Sequence, residues 1–423
     1  MKVLILTHGS RGDVQPFAAL ARALRAAGHH VVIGLPDSMT TLVETRGVDV
    51  VRFSDIAAKL VNYPEFQEMA ESNFRGLRGK KTALALRPKY VGIIAEALDD
   101  LAKAGQQGAG ADLVVHNVSL PGHEVAELLG VPALPVGLQP FWVPTRAFPE
   151  GRFPCRVPSL MNRATYIWAR VMLAYYEGSS VRDWRNETLR LPYRWNHRNY
   201  LRGRGGPAVG MLHGFSRHVL PRQLDYPPWV HTTGFWTLPA GSGWSPPQSL
   251  SEFLSAGEPP VYIGFGSNIG PNAARTGVVV AEAVRRAKVR AVVATGWGAI
   301  TAGARDDQLY YVDQVPHDWL LPQMAAVVHQ CGGTISAAVV AGRPQVVCPF
   351  GFSDMPYYAS RMHALGVAPP PLPQRSLTAA DLGDAISRAV SDRDMAARAQ
   401  ELGRLSRAEG GAAAAVDVIE TIT

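Results

Sequence analysis

One local pattern recurs four times along the chain and restricts the fold more than any other feature. An apolar run ends in a glycine-containing turn, and helical periodicity follows. The first instance is Lys2-Val3-Leu4-Ile5-Leu6, then His8-Gly9-Ser10-Arg11-Gly12-Asp13, then the amphipathic stretch VQPFAALARALRAAGH. The other turns lie at 264–268 (GFGSN), 296–298 (GWG) and 329–334 (HQCGGT). Continuous apolar strands alternating with amphipathic helices are the signature of a parallel sheet covered on both faces.

The first half continues this cycle with HVVIGLP, DLVVHN (112–117), the helix GHEVAELLG and ALPVGLQP (133–140). Residues 55–90 break the rhythm. They carry Arg75, Arg78, Lys80, Lys81, Arg87 and Lys89 among scattered aromatics, and read as an irregular, mobile segment. Residues 160–190 read as one or two helices rich in Tyr, Trp and Met, suited to a core face or to the lining of a pocket for an apolar substrate. Prolines, glycines and serines concentrate at 221–248, the composition of an interdomain connection. The α/β cycle then restarts at PPVYIGFGS. The expected architecture is therefore α/β, with two doubly wound, Rossmann-like domains facing a deep cleft. The first spans 1–220 and the second 249–423, and the last helix is placed so that it could pack back on the first.

The chain has 423 residues, enough for two such cores, and 47% hydrophobic with 18% charged residues is a globular composition. No apolar stretch approaches the roughly 20 residues of a membrane-spanning helix, and MKVLIL reads as a strand, so a cytoplasmic location is expected. Cys155, Cys331 and Cys348 form no metal-spaced pair and suit free thiols. A net charge of +7 fits anionic ligands or contact with an anionic membrane, whereas no nucleic-acid motif accompanies the dispersed arginines.

Ligands of open parallel sheets bind beyond the carboxyl ends of the strands, where all four turns fall. Gly264, Gly266 and Ser267 offer backbone amides and a hydroxyl. Gly332, Gly333 and Thr334 open a helix whose amides and dipole favour an anion, with His329 as a nearby donor. This is the outline of a diphosphate site, although no P-loop or Gly-x-Gly-x-x-Gly spacing is present. Asp13 suits an N-cap at the entrance of the first helix.

The stretch from Pro316 to Pro356, PHDWLLPQMAAVVHQCGGTISAAVVAGRPQVVCPFGFSDMP, resembles the nucleotide-sugar signature of family 1 glycosyltransferases with the two-domain GT-B fold. RGDVQP, LQPFWVPTRAFP (138–149), TTGFW (232–236), PPVYIGFGS and ALGVAP (364–369) extend the resemblance over nearly the whole chain. It is nearest to bacterial enzymes that glycosylate macrolide and glycopeptide antibiotics, and to sterol glucosyltransferases.

The resemblance implies a nucleoside-diphosphate sugar in the second domain and a hydrophobic small-molecule acceptor in the first, with inversion and no metal or other cofactor. It assigns the diphosphate to Ser267, His329, Gly332, Gly333 and Thr334, and the base to Trp297, Gln314 and Val315. The sugar falls to Asp354 and Met355, and the acceptor to His8, Phe141 and Trp142. Asp13 matches the aspartate that takes the acceptor hydroxyl's proton, with Ser10 near the diphosphate.

The chain also departs from the pattern. Val328, Gln330 and Cys331 replace a histidine and two glycines, and Met355 stands where relatives carry glutamine. Methionine cannot donate a hydrogen bond to a sugar hydroxyl, which points to a deoxysugar carried on thymidine diphosphate. Two alternatives are a sterol or lipid glycosyltransferase working at a membrane through the basic segment 75–89, and a non-catalytic partner of another transferase. Monomer and homodimer remain equally open.

Overall fold

The computed structural model describes the chain outside residues 44–46, 67, 69–75, 152, 154–156, 178, 196, 204–205, 208, 242, 267–271, 297, 305, 351–353 and 423. Ser267 and Trp297, with Cys155 and Arg75, lie outside the described residues.

Seven parallel strands form the first sheet: β1 (Lys2–Leu6), β2 (His30–Pro36), β3 (Asp49–Phe53), β4 (Leu113–Asn117), β5 (Ala133–Gly137), β6 (Met211–His213) and β7 (Val230–Thr232). Their order is β3-β2-β1-β4-β5-β6-β7, so chain direction across the sheet reverses beside β1. The sheet is buried on both faces, which explains why its strands read as unbroken apolar runs. Val3 and Ile5 face one core and Leu4 and Leu6 the other.

The second sheet contains β8 (Val261–Gly264), β9 (Ala291–Ala294), β10 (Leu309–Val312), β11 (Val327–His329) and β12 (Gln345–Val347). Its order, β10-β9-β8-β11-β12, puts the corresponding switch between β8 and β11. In each domain the switch point therefore falls at a glycine turn singled out from sequence.

Helix α1 (Arg11–Ala26) buries Val14, Phe17, Leu20, Ala21 and Leu24 along one stripe against the first sheet. The segment expected to be irregular at 55–90 contains instead the first half of a 32-residue helix, α2 (Gly76–Gln107), with Pro88 inside it. Arg78, Lys80, Lys81, Arg87 and Lys89 therefore ride on a helix. Their density concealed its periodicity, although lysine and arginine are good helix formers. Helix α3 (Asn162–Glu177) occupies the aromatic-rich segment. The proline-rich stretch 221–248 is more than a connection, because β7 within it adds an outermost strand to the first sheet.

The domains share a hydrophobic core. Phe141, Phe148, Phe215, Val219 and Phe235 from the first half pack with Ile335, Val339, Val347, Tyr358 and Met362 from the second. The Arg361 guanidinium adds hydrogen bonds to the carbonyls of Val219 and Leu220 at 3.0 and 3.1 Å. The chain crosses the junction twice. The outward crossing follows Trp236 and Leu238, which belong to the first core, and Ala240 then donates its N–H to Asp318 at 2.8 Å. The return runs through 408–411. Gly411 there lies so close to the outward strand that a β-carbon on it would stand 2.7 Å from the Phe235 carbonyl oxygen.

Beyond the return crossing, α4 (Ala412–Ile422) lays Ala415, Val416 and Ile419 into the first core beside α1. Ile419 is fully buried. Truncating it to alanine removes three carbons from a close-packed site, so Ile419→Ala should lower unfolding free energy by about 2–5 kcal/mol. Urea denaturation followed by circular dichroism measures this, and a loss under about 0.5 kcal/mol, typical of a surface position, would contradict the packing.

Candidate active site

The turn after β1 folds back on itself through Asp13. Ser10 is the N-cap residue of α1 and Asp13 is its third helical residue, so the two form a capping box. The Asp13 carboxylate accepts from the Ser10 N–H and from the Ser10 hydroxyl through the same atom, Oδ2, each at 2.9 Å. Asp13 thus closes the box from the third helical position and is not the N-cap that the sequence also allowed. Its Oδ1 accepts no hydrogen bond from a described residue. Burial raises the Asp13 carboxyl above the ordinary aspartate value, opposed by the hydrogen bonds from Ser10. Gly9 has φ +118° and leaves room for the carboxylate, since a β-carbon there would stand 2.6 Å from Oδ2.

His8 sits at the same turn. Its Nδ1 is buried without a partner, its Nε2 lies 3.4 Å from the Ser119 hydroxyl, and burial lowers its pKa to about 4, so the ring is neutral at physiological pH. Ser119 belongs to the turn after β4 and donates to Asn117 Oδ1 at 2.8 Å. Asn117 and Ser119 were missed in the sequence. The signal for them is the strand order, which brings the ends of β1 and β4 together but cannot be read from periodicity.

Opposite this turn, His329 ends β11 and the helix Thr334–Ala341 begins five residues later. The amides of Gly333 and Thr334 make no backbone hydrogen bond to a described residue, and Gly332 faces open space. The two turns meet backbone to backbone. A β-carbon on Gly333 would lie 2.7 Å from the Gly12 Cα, and one on Gly12 would lie 3.1 Å from the Gly333 Cα. Beside this contact Arg11 donates to Gln314 Oε1 at 2.9 Å, and Val315 packs partly buried on the neighbouring core. Asp13, Ser10, Gly332, Gly333, Thr334, Gln314 and Val315 are therefore brought to one junction.

Other residues are placed differently from the expectation. His329 is fully buried with both ring nitrogens engaged. Nδ1 accepts from the Cys331 N–H at 3.0 Å and Nε2 faces Gln345 Oε1 at 2.9 Å. Because a glutamine oxygen can only accept, Nε2 carries the proton. Burial holds the imidazole near a pKa of about 4. His329 therefore braces the turn from beneath and has no free donor to aim at an anion.

Phe141 is also a core residue, set edge-on to Phe148 and Tyr357 at 6.0 and 5.1 Å between ring centroids. Its neighbour Trp142 is partly buried, donating to Gln139 at 3.3 Å and packing near Tyr200. Asp354 and Met355 begin the helix Met355–Ala364. Met355 packs on the interdomain cluster and its carbonyl accepts from the Cys331 thiol at 3.4 Å. Cys331 itself is 1% exposed at φ +84°, the left-handed conformation that favours glycine.

Two parallel α/β domains with their switch-point turns in contact define the two-domain glycosyltransferase architecture. It is shared with the solved glycotransferase of kitacinnamycin (TM-score 0.70, 20% identity, covering 100% of this chain and 98% of that one). Glycosyltransferase VinC in complex with DTDP is similarly related (TM-score 0.66, 20% identity, covering 100% and 99%). Family models match twice: "Glycosyltransferase family 28 N-terminal domain" over residues 3–97 and "Erythromycin biosynthesis protein CIII-like, C-terminal domain" over 286–419.

In sequence the chain is 35% identical to the O-mycaminosyltylonolide 6-deoxyallosyltransferase of Streptomyces fradiae, over 99% of this chain and 97% of that protein. It is 31% identical to sterol 3-beta-glucosyltransferases of Arabidopsis thaliana and Candida albicans over 98% and 99% of this chain. It spans only 64% and 27% of those two proteins' lengths. The chain belongs to this family of glycosyltransferases.

The bracing role of His329 has a measurable consequence. His329→Leu leaves the Cys331 amide and the Gln345 side-chain Oε1 buried without their His329 partner, at about 1–3 kcal/mol each. Thermal or urea unfolding should therefore register a loss of about 2–6 kcal/mol, and unchanged stability would show that the histidine does not hold the turn.

Proposed function

We propose that this protein transfers a sugar, with inversion, from a thymidine-diphosphate donor to a hydroxyl of a hydrophobic natural product. The observation that carries the reading is the backbone contact of Gly12 with Gly333. It sets a carboxylate whose Oδ1 accepts from no described residue across from helix N-terminal amides that make no backbone hydrogen bond to a described residue. The acceptor oxygen attacks the anomeric carbon while the bond from that carbon to the diphosphate oxygen breaks, its electron pair leaving with the diphosphate. Asp13 Oδ1 takes the acceptor proton. The Gly333 and Thr334 amides and the Thr334 hydroxyl stabilise the negative charge that develops on the leaving group, in place of a divalent cation. A carboxyl whose pKa is raised by burial is a stronger base than an ordinary aspartate.

The donor reading draws support from VinC, solved with DTDP, and from the Streptomyces fradiae relative, whose name specifies a 6-deoxyallosyl transfer. Met355 adds an apolar group beside Asp354, where a sugar lacking a hydroxyl leaves nothing unpaired.

Asp13→Asn should lower kcat by about 10²–10⁴-fold while the melting-temperature shift produced by thymidine diphosphate persists. Turnover close to wild type would remove Asp13 as the base. The Ser10 hydroxyl stabilises the ionised form, so Ser10→Ala raises the Asp13 pKa further. Activity requires the ionised form and falls as pH drops through that pKa, so the acid limb of kcat/KM should move to higher pH in Ser10→Ala.

Donor choice is tested by Met355→Gln. It is expected to raise kcat/KM for thymidine-diphosphate glucose relative to a deoxysugar donor by about tenfold, the worth of one hydrogen bond. Equal use of both donors by the wild-type protein would overturn the deoxysugar reading.

A further inference from the structure

Arg11 opens α1 and reaches across the domain junction. Its neighbour Gly12 abuts Gly333, while its own Nη1 donates to Gln314 Oε1 at 2.9 Å. The guanidinium is therefore held between the turn at 329–334 and the turn after β10, on the carboxyl-end side of the second sheet, where a ligand of such a sheet lies. The first domain carries it there.

Both hydrogen bonds of Arg11 go to neutral side chains. Nε donates to Gln15 Oε1 at 3.0 Å, one turn along the same helix, and the remaining N–H groups meet no described acceptor. The neighbouring carboxylates are engaged elsewhere. Asp318 accepts from the Ala240 N–H at 2.8 Å, Asp313 from the Thr295 hydroxyl at 3.0 Å and Asp13 from the Ser10 N–H at 2.9 Å. Enclosure at the junction lowers the Arg11 pKa, opposed through space by Tyr262 and Asp318, but a guanidinium stays charged.

The histidines around it are neutral. Burial brings His8, His317 and His329 each to a pKa of about 4, and His317 Nε2 is bonded to the Tyr262 hydroxyl at 3.0 Å. Arg11 therefore brings to the junction the positive charge that these rings lack. A partly enclosed guanidinium with no described counter-ion is complementary to a phosphate group, which it can grip through two N–H donors at once.

We propose that Arg11 pairs with the diphosphate of the nucleotide sugar, so that the acceptor domain supplies the cation that His329, turned inward, does not. The inference rests on the nucleotide-sugar reading above and adds a residue to it. Arg11 and Asp13 are the first and third residues of one helix, with Ser10 and Asp13 closing the capping box around Arg11. The group that meets the donor's charge and the carboxylate across from it therefore move as one body. Donor binding draws the acceptor half of the site into place.

Isothermal titration calorimetry of the full chain with thymidine diphosphate and with thymidine tests this. Arg11→Ala should weaken thymidine diphosphate binding by about tenfold or more, the worth of a hydrogen bond to a charged group, and thymidine binding by less than about twofold. Arg11→Lys should fall between wild type and Arg11→Ala, because an ammonium keeps the charge and loses the fork. Added salt should weaken diphosphate binding more steeply in wild type than in Arg11→Ala. Melting temperatures without ligand should stay close to wild type, since Arg11 keeps a solvent-exposed side.

Three results would overturn the proposal while wild type still binds thymidine diphosphate. They are full affinity in Arg11→Ala, equal losses for thymidine diphosphate and thymidine, which would assign the guanidinium to the base, and tighter binding by Arg11→Ala, which would make its bond to Gln314 a bar across the site. A wild-type protein that binds no thymidine diphosphate would remove the nucleotide reading itself, and this inference with it.

Discussion

Two backbones, at Gly12 and Gly333, approach so closely that a β-carbon on Gly333 would stand 2.7 Å from the Gly12 Cα and one on Gly12 3.1 Å from the Gly333 Cα, so that a side chain at either position presses on the backbone of the other domain. The remaining geometry of the site depends on that approach. Each glycine lies in a turn at its own sheet's switch point, so the contact joins the two places where parallel sheets leave room for ligands. Glycine is needed here for the absence of a β-carbon between elements that are themselves rigid. The sheets fix the turns, the shared aromatic core fixes the domains, and the two backbones close the remaining distance.

Much of this architecture was legible in the sequence because strands buried on both faces cannot disguise themselves. KVLIL, LVVHN and VYIG appear as apolar runs whatever surrounds them. Features that depend on a partner distant in the chain were not legible. Helix α2 escaped because its first turns carry basic residues where periodicity would be sought. Arg185 reads as one of many surface arginines, yet it is fully buried and paired with Glu124 and Glu127. Phe141 follows a strand toward the site, and only the fold reveals that Phe148 and Tyr357 enclose it. His329 ends its strand where the sequence placed it, but its ring turns inward, because which way an imidazole points is decided by Gln345 on the neighbouring strand.

The substitutions in the donor turn can be understood in the same terms. Cys331 keeps a left-handed backbone although it has a β-carbon, a conformation that costs of order 1–3 kcal/mol. The surroundings hold it there. Its amide is bound to His329, its thiol reaches the Met355 carbonyl, and its side chain fills part of the interdomain core. Burial raises the thiol pKa well above its ordinary value, so it remains protonated and able to donate to that carbonyl. The turn has thus exchanged glycine's conformational freedom for packing, while the Gly333 and Thr334 amides that follow it make no backbone hydrogen bond to a described residue.

The two interdomain crossings lie against each other at Phe235 and Gly411. Two covalent tethers set far apart would resist almost any relative motion, whereas two tethers side by side behave mechanically as one pivot. With α4 anchored in the first core and the outward strand anchored through Trp236 and Leu238, a rigid-body opening that spares both anchors has its axis through that spot. The Gly12 and Gly333 turns are then the jaws of a caliper. A rotation about that axis would part them along a single arc, and the reverse rotation would restore their register.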